Sequence, residues 1–392
     1  MTNPLYDDPF DLHTRLCDVR QRDAWRRRAR RDGPVSPHVC VEGKPLVSFI
    51  SNDYLGLAGD ARLVEAWIQG AHTYGIGAGA SHLLGGHTPA HEALEESLAD
   101  WVGAQRALLF STGYMANLAV VTALSGRGFT VYENRRNHAS LIDAVTLAHA
   151  RRVRYRDSGD LERRLAARLP GRGLIVTDGV FSMDGDVAPV ALLARLAHAQ
   201  NLGLIVDDAH ALGVIGPAGA GTLAAAHLSP CAGIALVGTL GKALGVLGAF
   251  VAGTADLIET LIQTARPYVY TTAVPPALAL ATAAAVRIAR EEEFRRTRLR
   301  QHIAFFRSEA ARLGLRLVPS DTAIQPLLIG GNRATMAAAE QLRQAGLLVG
   351  AVRPPTVPAG QGRLRITLSA AHETADIERL LEGLAALPAG GS

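Results

Sequence analysis

Between about residue 60 and residue 290, short apolar runs alternate with helix-length segments, and this alternation restricts the chain more than any other feature. Strand-like runs fall at 107–110, 129–132, 174–177, 204–206, 234–237 and 249–251. Runs of this length, apolar throughout, suit strands covered on both faces, and the intervening segments are long enough to be the covering helices. The expected architecture is therefore α/β, a large and mostly parallel sheet between two helical layers. The highly charged stretch 291–300 begins a long helix leaving that unit. Beyond it, strands are predicted at 315–318, 325–329, 347–352 and 363–368, with helices at 333–345 and 373–387. These form a smaller α+β domain. The expected division is 1–60 as an N-terminal helix and segment joining the small domain, 61–290 as the large domain, and 291–392 as the small one.

Within this frame Asp207 closes the run Leu204-Ile205-Val206, at the carboxyl end of a strand, where open α/β sheets bind ligands. Lys242, in Gly238-Thr239-Leu240-Gly241-Lys242-Ala243, follows the next apolar run in the same way. A carboxylate and a lysine at neighbouring strand ends supply what a pyridoxal phosphate (PLP) site needs. The lysine holds an aldehyde as a Schiff base, and the carboxylate keeps a pyridine nitrogen protonated. Either residue alone reads as an ordinary surface lysine or loop-capping aspartate; the pair does not.

Other segments add partners. Ser111-Thr112-Gly113-Tyr114-Met115-Ala116-Asn117 follows a strand and opens a helix, whose first amides and dipole favour a phosphate. Gly113 permits close approach, and Tyr114 falls beside it. His138, in Asn137-His138-Ala139-Ser140, sits at a similar junction and suits stacking on an aromatic ring. His210, three residues after Asp207, and Ser182, in a Gly- and Asp-rich loop, are each placed to contact a phenolic oxygen. A Walker A loop is excluded, because Ala243 and Leu236 stand where that motif needs a hydroxyl residue and a glycine. His87 and His91 are four apart, but Pro89 lies between them and no Glu follows His87, so no zinc motif is read and no metal is expected.

Composition limits the alternatives. Of 392 residues 48% are apolar and 19% charged, and polar residues interrupt every run before it reaches the ~20 needed to span a membrane. Met1 to Asp11 carries three aspartates and no basic residue, unlike a signal or transit peptide. The three cysteines, 17, 40 and 231, are odd in number and far apart, which points to a reducing, cytoplasmic setting. Seven arginines against one aspartate crowd Arg20–Arg31, in a chain whose total charge is +4. Residues 12–32 read as one charged amphipathic helix, which makes this cluster a solvated face rather than a nucleic-acid site.

Taken together, the chain resembles the α-oxoamine synthases, PLP enzymes of the aspartate-aminotransferase fold type (fold type I). The resemblance runs from about Arg26 to the C-terminal helix. It is carried by Ser51-Asn52-Asp53-Tyr54-Leu55-Gly56-Leu57, Asn137 to Leu141, Thr177 to Asp186, Val206 to His210 and Thr239 to Lys242. The resemblance implies that Lys242 forms the Schiff base, Asp207 pairs with the ring nitrogen and His138 stacks on the ring. It implies that His210 and Ser182 meet the phenolic oxygen, and that Gly113, Tyr114 and Thr239 hold the phosphate. Thr272 would reach the phosphate of a partner subunit, so a homodimer is expected. Asn52 and Arg353 would hold an amino-acid carboxylate, Thr356 would lie at the same substrate, and Arg26 would line the acyl entrance. The segments 323–327 and 353–360 resemble the member that condenses L-alanine with a pimeloyl thioester, carried by CoA or an acyl-carrier protein, more than the glycine-using members. A glycine-using sibling, a transaminase and a non-catalytic PLP-binding subunit are the alternatives. The chain departs from the family pattern at Gly85 and His82, both in a loop near the acyl channel.

Overall fold

The structure is a computed structural model that describes residues 9–22, 25–168, 171–354, 356–358 and 360–388. Its centre is a seven-stranded sheet. In chain order the strands are β1 (Arg106–Phe110), β2 (Thr130–Asn134), β3 (Arg151–Tyr155), β4 (Gly173–Asp178), β5 (Gly203–Asp207), β6 (Ile234–Thr239) and β7 (Ala249–Gly253). Across the sheet they lie β3-β2-β4-β5-β6-β7-β1, and only β7 runs antiparallel to its neighbours. β4 is buried along its whole length, and β5 and β6 along nearly all of theirs. This accounts for their unbroken apolar text. β3 is the exception. Its sequence Arg-Arg-Val-Arg-Tyr is mostly exposed at the sheet edge, and its charge hid it from a search for apolar runs.

Outside this sheet, Ile324–Gly330, Gly362–Thr367 and Gly350–Val352 form a three-stranded antiparallel sheet. The N-terminal strands Arg31–Asp32, His38–Val41 and Lys44–Ser48 form another, which Leu347–Leu348 joins in parallel to the last of them. The run predicted as one strand at 347–352 is thus split between two sheets. Residues 315–318 form no strand and make only an isolated bridge from Leu317 to Leu327. The long helix Glu293–Arg312 packs against Thr374–Ala385.

One expectation fails at the N-terminus. The helix there is Leu12–Gln21, ten residues rather than twenty-one, and it buries none of its side chains. Without an apolar face to dock, a helix of that length gains little beyond its own backbone bonds. The arginines from 26 to 31 therefore lie on extended chain and not on a helix face. Among the described residues no helix is long and apolar enough to cross a membrane.

Candidate active site

The carboxyl ends of β4, β5 and β6 bring Asp178, Asp207 and Thr239 side by side, with Asp178 and Asp207 opposite one another in register. Lys242 follows three residues after β6, in a turn where the Gly245 amide bonds the Lys242 carbonyl at 2.9 Å. Gly245 has φ +70°, and a Cβ there would lie 2.3 Å from the Ala58 nitrogen, so only glycine lets this turn seat against residues 57–58. The resulting cavity, about 180 Å³, is lined by Gly113, Tyr114, His138, Ser182, Asp207, His210, Thr239 and Lys242. Every sequence-predicted cofactor residue except Thr272 therefore converges on one place. Asn117, Ser140, Asp178, Val180 and Ala209 complete the wall.

Two hydrogen-bonded chains organise it. In the first, the amide of Asn117 donates to Asp207 Oδ2 at 2.6 Å and to Ser140 Oγ at 2.8 Å, and Ser140 Oγ meets His138 Nδ1 at 2.7 Å. This fixes the Asp207 carboxylate and the His138 ring relative to one another. The His138 backbone N–H donates to both oxygens of Asp178. Burial, then the neighbouring Asp207, drives the Asp178 carboxyl well above the usual carboxylate range. Two adjacent buried carboxyls cannot both ionise cheaply.

In the second chain, Tyr54 Oη lies 2.6 Å from His210 Nδ1, and His210 Nε2 lies 2.9 Å from Lys242 Nζ. Asn52 Oδ1 accepts from Arg365 and from the Tyr54 hydroxyl, each at 3.3 Å. Burial pushes the Tyr54 phenol up to about 12 and holds His210 far below its ordinary value, so both are neutral. His210 Nε2 and Lys242 Nζ share one hydrogen bond. Burial lowers the Lys242 ammonium below its ordinary value, against the pull of Asp207 and Asp178.

The set of groups fits PLP. A buried carboxylate is aimed into the cavity beside a stacking imidazole. An amine of lowered basicity lies across it. The start of the helix Gly113–Leu124 supplies amides, with Thr112 capping it through Met115 N–H at 3.2 Å. Gly113 has its nearest neighbour, Thr239 Oγ1, 3.8 Å from where a Cβ would be, so the backbone faces open space. Tyr114 meets His138 edge-on at 6.4 Å between ring centroids, and its hydroxyl donates to Asp143.

The predicted substrate residues are more scattered. Asn52 joins the second chain of hydrogen bonds. Arg353 instead donates to the Trp25 carbonyl at 2.9 Å, which puts it beside Arg26 at the exposed N-terminal segment rather than among the residues lining the cavity. The amide of Thr356 closes a turn onto the Arg353 carbonyl; Pro355 and Ala359, in the same segment, lie outside the described residues. Thr272 bridges Ser81 and does not line the cavity of its own chain. The sequence reading missed Arg365, whose guanidinium donates to the Ser182 carbonyl at 2.7 Å and reaches Asn52. The signal was available, because the alternation within 363–367 places Arg363 and Arg365 on one face of a strand. Asn117 was also inside a quoted motif, but nothing in its spacing revealed the contact with Asp207, ninety residues away.

Comparison with known proteins agrees with this geometry. The family described as aminotransferase class I and II matches residues 44–384. An 8-amino-7-oxononanoate synthase of Pseudomonas syringae pv. tomato is 53% identical over 377 residues, 96% of this chain and 95% of that protein. One from Methylococcus capsulatus is 54% identical over 378 residues, 96% and 98% of the two chains. A solved structure of SPT with its PLP internal aldimine superposes with a TM-score of 0.91 at 30% identity, covering 97% of this chain and 98% of that one. With the site assembled at the strand ends and likeness extending over nearly its whole length, the chain belongs to the 8-amino-7-oxononanoate synthases, within the class I and II aminotransferase family.

Proposed function

We infer that this protein catalyses the PLP-dependent, decarboxylating condensation of L-alanine with a pimeloyl thioester, giving 8-amino-7-oxononanoate, carbon dioxide and the free thiol carrier, a step of biotin biosynthesis. The observation that carries the reading is the convergence of Lys242, Asp207, His138 and His210 on one cavity, in a chain about half identical to synthases of that name. PLP, when bound, supplies an aldehyde that condenses with amines and a ring that draws electrons away from the carbon next to the amine.

The residues divide the remaining work. Lys242 Nζ, whose ammonium form burial disfavours and which lies 2.9 Å from His210 Nε2, would hold the cofactor through its aldehyde and would take the alanine Cα proton. Asp207, held by Asn117, would pair with the ring nitrogen of the cofactor. His138, its position set by Ser140 and Asp178, would stack on the ring. His210 and Ser182 are assigned to the phenolic oxygen, and Gly113, Tyr114 and Thr239 to the phosphate. The C–C bond then forms between alanine Cα and the thioester carbonyl carbon, and the thiolate leaves. Loss of carbon dioxide from the β-keto acid and a proton returned to Cα complete the reaction.

For the alanine carboxylate we assign Asn52 together with Arg365, whose planar fork suits a carboxylate. Arg353, Thr356 and Arg26 are assigned to the mouth and to the acyl chain, because they sit together at the exposed N-terminal segment. CoA or an acyl-carrier protein serves as the thiol carrier. We further read the chain as a large domain, 61–290, and a small domain built from 1–60 and 291–392. It works as a homodimer in the cytoplasm, with Thr272 completing the partner's phosphate site.

A steady-state assay with alanine or glycine against pimeloyl-CoA and acetyl-CoA tests the substrate assignment. Alanine with pimeloyl-CoA should give the highest kcat/KM; a higher value for glycine with acetyl-CoA would move the activity to the sibling reaction. Lys242→Ala should abolish both turnover and the visible absorption of the bound cofactor. An unchanged band in that variant would remove Lys242 from its role.

A further inference from the structure

Away from the cavity, the fold gathers three histidines that the sequence reading, seeing only two at an unpromising spacing, set aside. One ring nitrogen from each of His82, His87 and His91 lies within 4.8 Å of the other two. His82 and His91 are buried, whereas His87 is exposed. The short helical turn His82–Leu84 delivers the first, and the start of the helix Pro89–Val102 delivers the third. The loop between them is forced to double back: a Cβ at Gly86 would lie 2.2 Å from the Ala80 carbonyl oxygen.

The rings are oriented as ligands are. His91 Nε2 donates to the Val274 carbonyl at 2.8 Å, which leaves the lone pair on Nδ1. A backbone carbonyl in this role is the usual outer partner of a metal-bound imidazole. His82 is fixed by stacking on Tyr268, at 5.1 Å between centroids and 11° between planes. His82 Nδ1 and His87 Nδ1 face each other at 2.9 Å, so two ring nitrogens share a single proton there. Three imidazoles that bring a ring nitrogen each to within 4.8 Å of the other two are a better match for a cation than for one another.

We propose that His82, His87 and His91 form a binding site for a divalent first-row transition metal ion, Zn2+ or Co2+ in type, with a fourth position open to water. The Nδ1 lone pair of His91 now faces Thr88, whose Oγ1 lies at 2.9 Å and whose N–H donates at 3.1 Å, and the metal takes that lone pair in place of both. Exposed His87 closes onto the two buried rings. The ion thereby ties the 81–87 loop to the segment 268–274, to which it is already joined by the Ser81–Thr272 bridge and the Ala273 N–H bond to Ala80. The site is separate from the PLP cavity, shares none of its lining residues, and does not rest on the proposed reaction.

The test is calorimetric titration of chelator-treated holoenzyme with ZnCl2, with CoCl2 absorption as a second readout. One ion per chain should bind, and Co2+ should show the d–d bands of tetrahedral nitrogen ligation. His87→Ala, at an exposed position, should leave the basal activity unchanged and weaken Zn2+ binding by roughly 100-fold, as loss of one of three ligands requires. His82→Gln should do the same to binding. Cys17→Ser is the control, because Cys17 Sγ and His13 Nε2, 3.5 Å apart, are a competing two-ligand site. Binding that survives His87→Ala but is lost in Cys17→Ser, or no saturable binding at all, overturns the proposal.

Discussion

Carboxyl groups in the interior of this protein differ in what each accepts. Asp207 faces an amide of Asn117 and its own strand-end backbone, with the Ala209 N–H donating at 3.0 Å. Asp208, the next residue, points the other way, holds Thr222 through its N–H and hydroxyl, and is pushed up to about 7 by burial. Glu95 is also pushed up to about 7 by burial, which the single N–H of Leu109 at 2.9 Å only partly offsets. A carboxyl raised from its ordinary value to about 7 binds its proton more tightly when folded than when unfolded. The stabilisation this proton gives is full below the unfolded value and disappears as pH rises through 7, worth roughly 3 kcal/mol per such group. Glu95→Gln keeps the acceptor for Leu109 and cannot ionise. Its melting temperature should therefore fall less between pH 5 and pH 8 than that of the wild type. Parallel Tm–pH curves for the two proteins would show that Glu95 is ionised in the fold.

At the scale of elements, the sequence was most legible where physical demands were local and repeated. β4, β5 and β6 are buried on both faces, so their apolar runs announced them, and Asp207 and Lys242 could be placed at strand ends from the text alone. β3, an edge strand of arginines, had no such need. The single run at 347–352 gave no hint that Leu347–Leu348 and Gly350–Val352 pair with different sheets, because the partners are set by tertiary contact. The arginine-rich segment read as one amphipathic helix, yet the helix stops at Gln21 and Arg31–Asp32 pair instead as a strand with His38–Val41. The turn carrying Lys242 was legible only in part: its glycines were visible, and the reason for Gly245 was not. Gly245→Ala puts a side chain at φ +70° and against the Ala58 backbone. It should lower stability by about 2–4 kcal/mol in denaturant unfolding, since strain and overlap add. Cofactor content should fall with it, because the turn positions Lys242. A variant as stable as wild type with full cofactor would mean that the turn relaxes without cost.

At the scale of the molecule, the proposed role of Thr272 makes the site in one chain depend on a second copy. Every expected cofactor residue reaches the cavity except Thr272, which is paired with Ser81 elsewhere on the surface. Two large apolar side chains beside this bridge in the sequence are exposed, Leu84 at 81% and Tyr270 at 72%. The proposed homodimer would cover them, and a twofold pairing would carry each Thr272 toward the other subunit's phosphate. A mixed dimer separates this from an intrachain role. Lys242→Ala and Thr272→Trp chains should each be inactive as homodimers. If Thr272 serves the opposite subunit, the mixed dimer has one site with both lesions and one site with neither. It should therefore recover about half of wild-type activity per dimer, since each chain donates its intact residue to the same site. If Thr272 serves its own chain, each site of the mixed dimer carries one lesion and no activity returns. Co-purifying the two chains with different affinity tags and measuring kcat decides between them. An inactive mixed dimer, shown by sedimentation to be fully assembled, would place Thr272 outside the shared site.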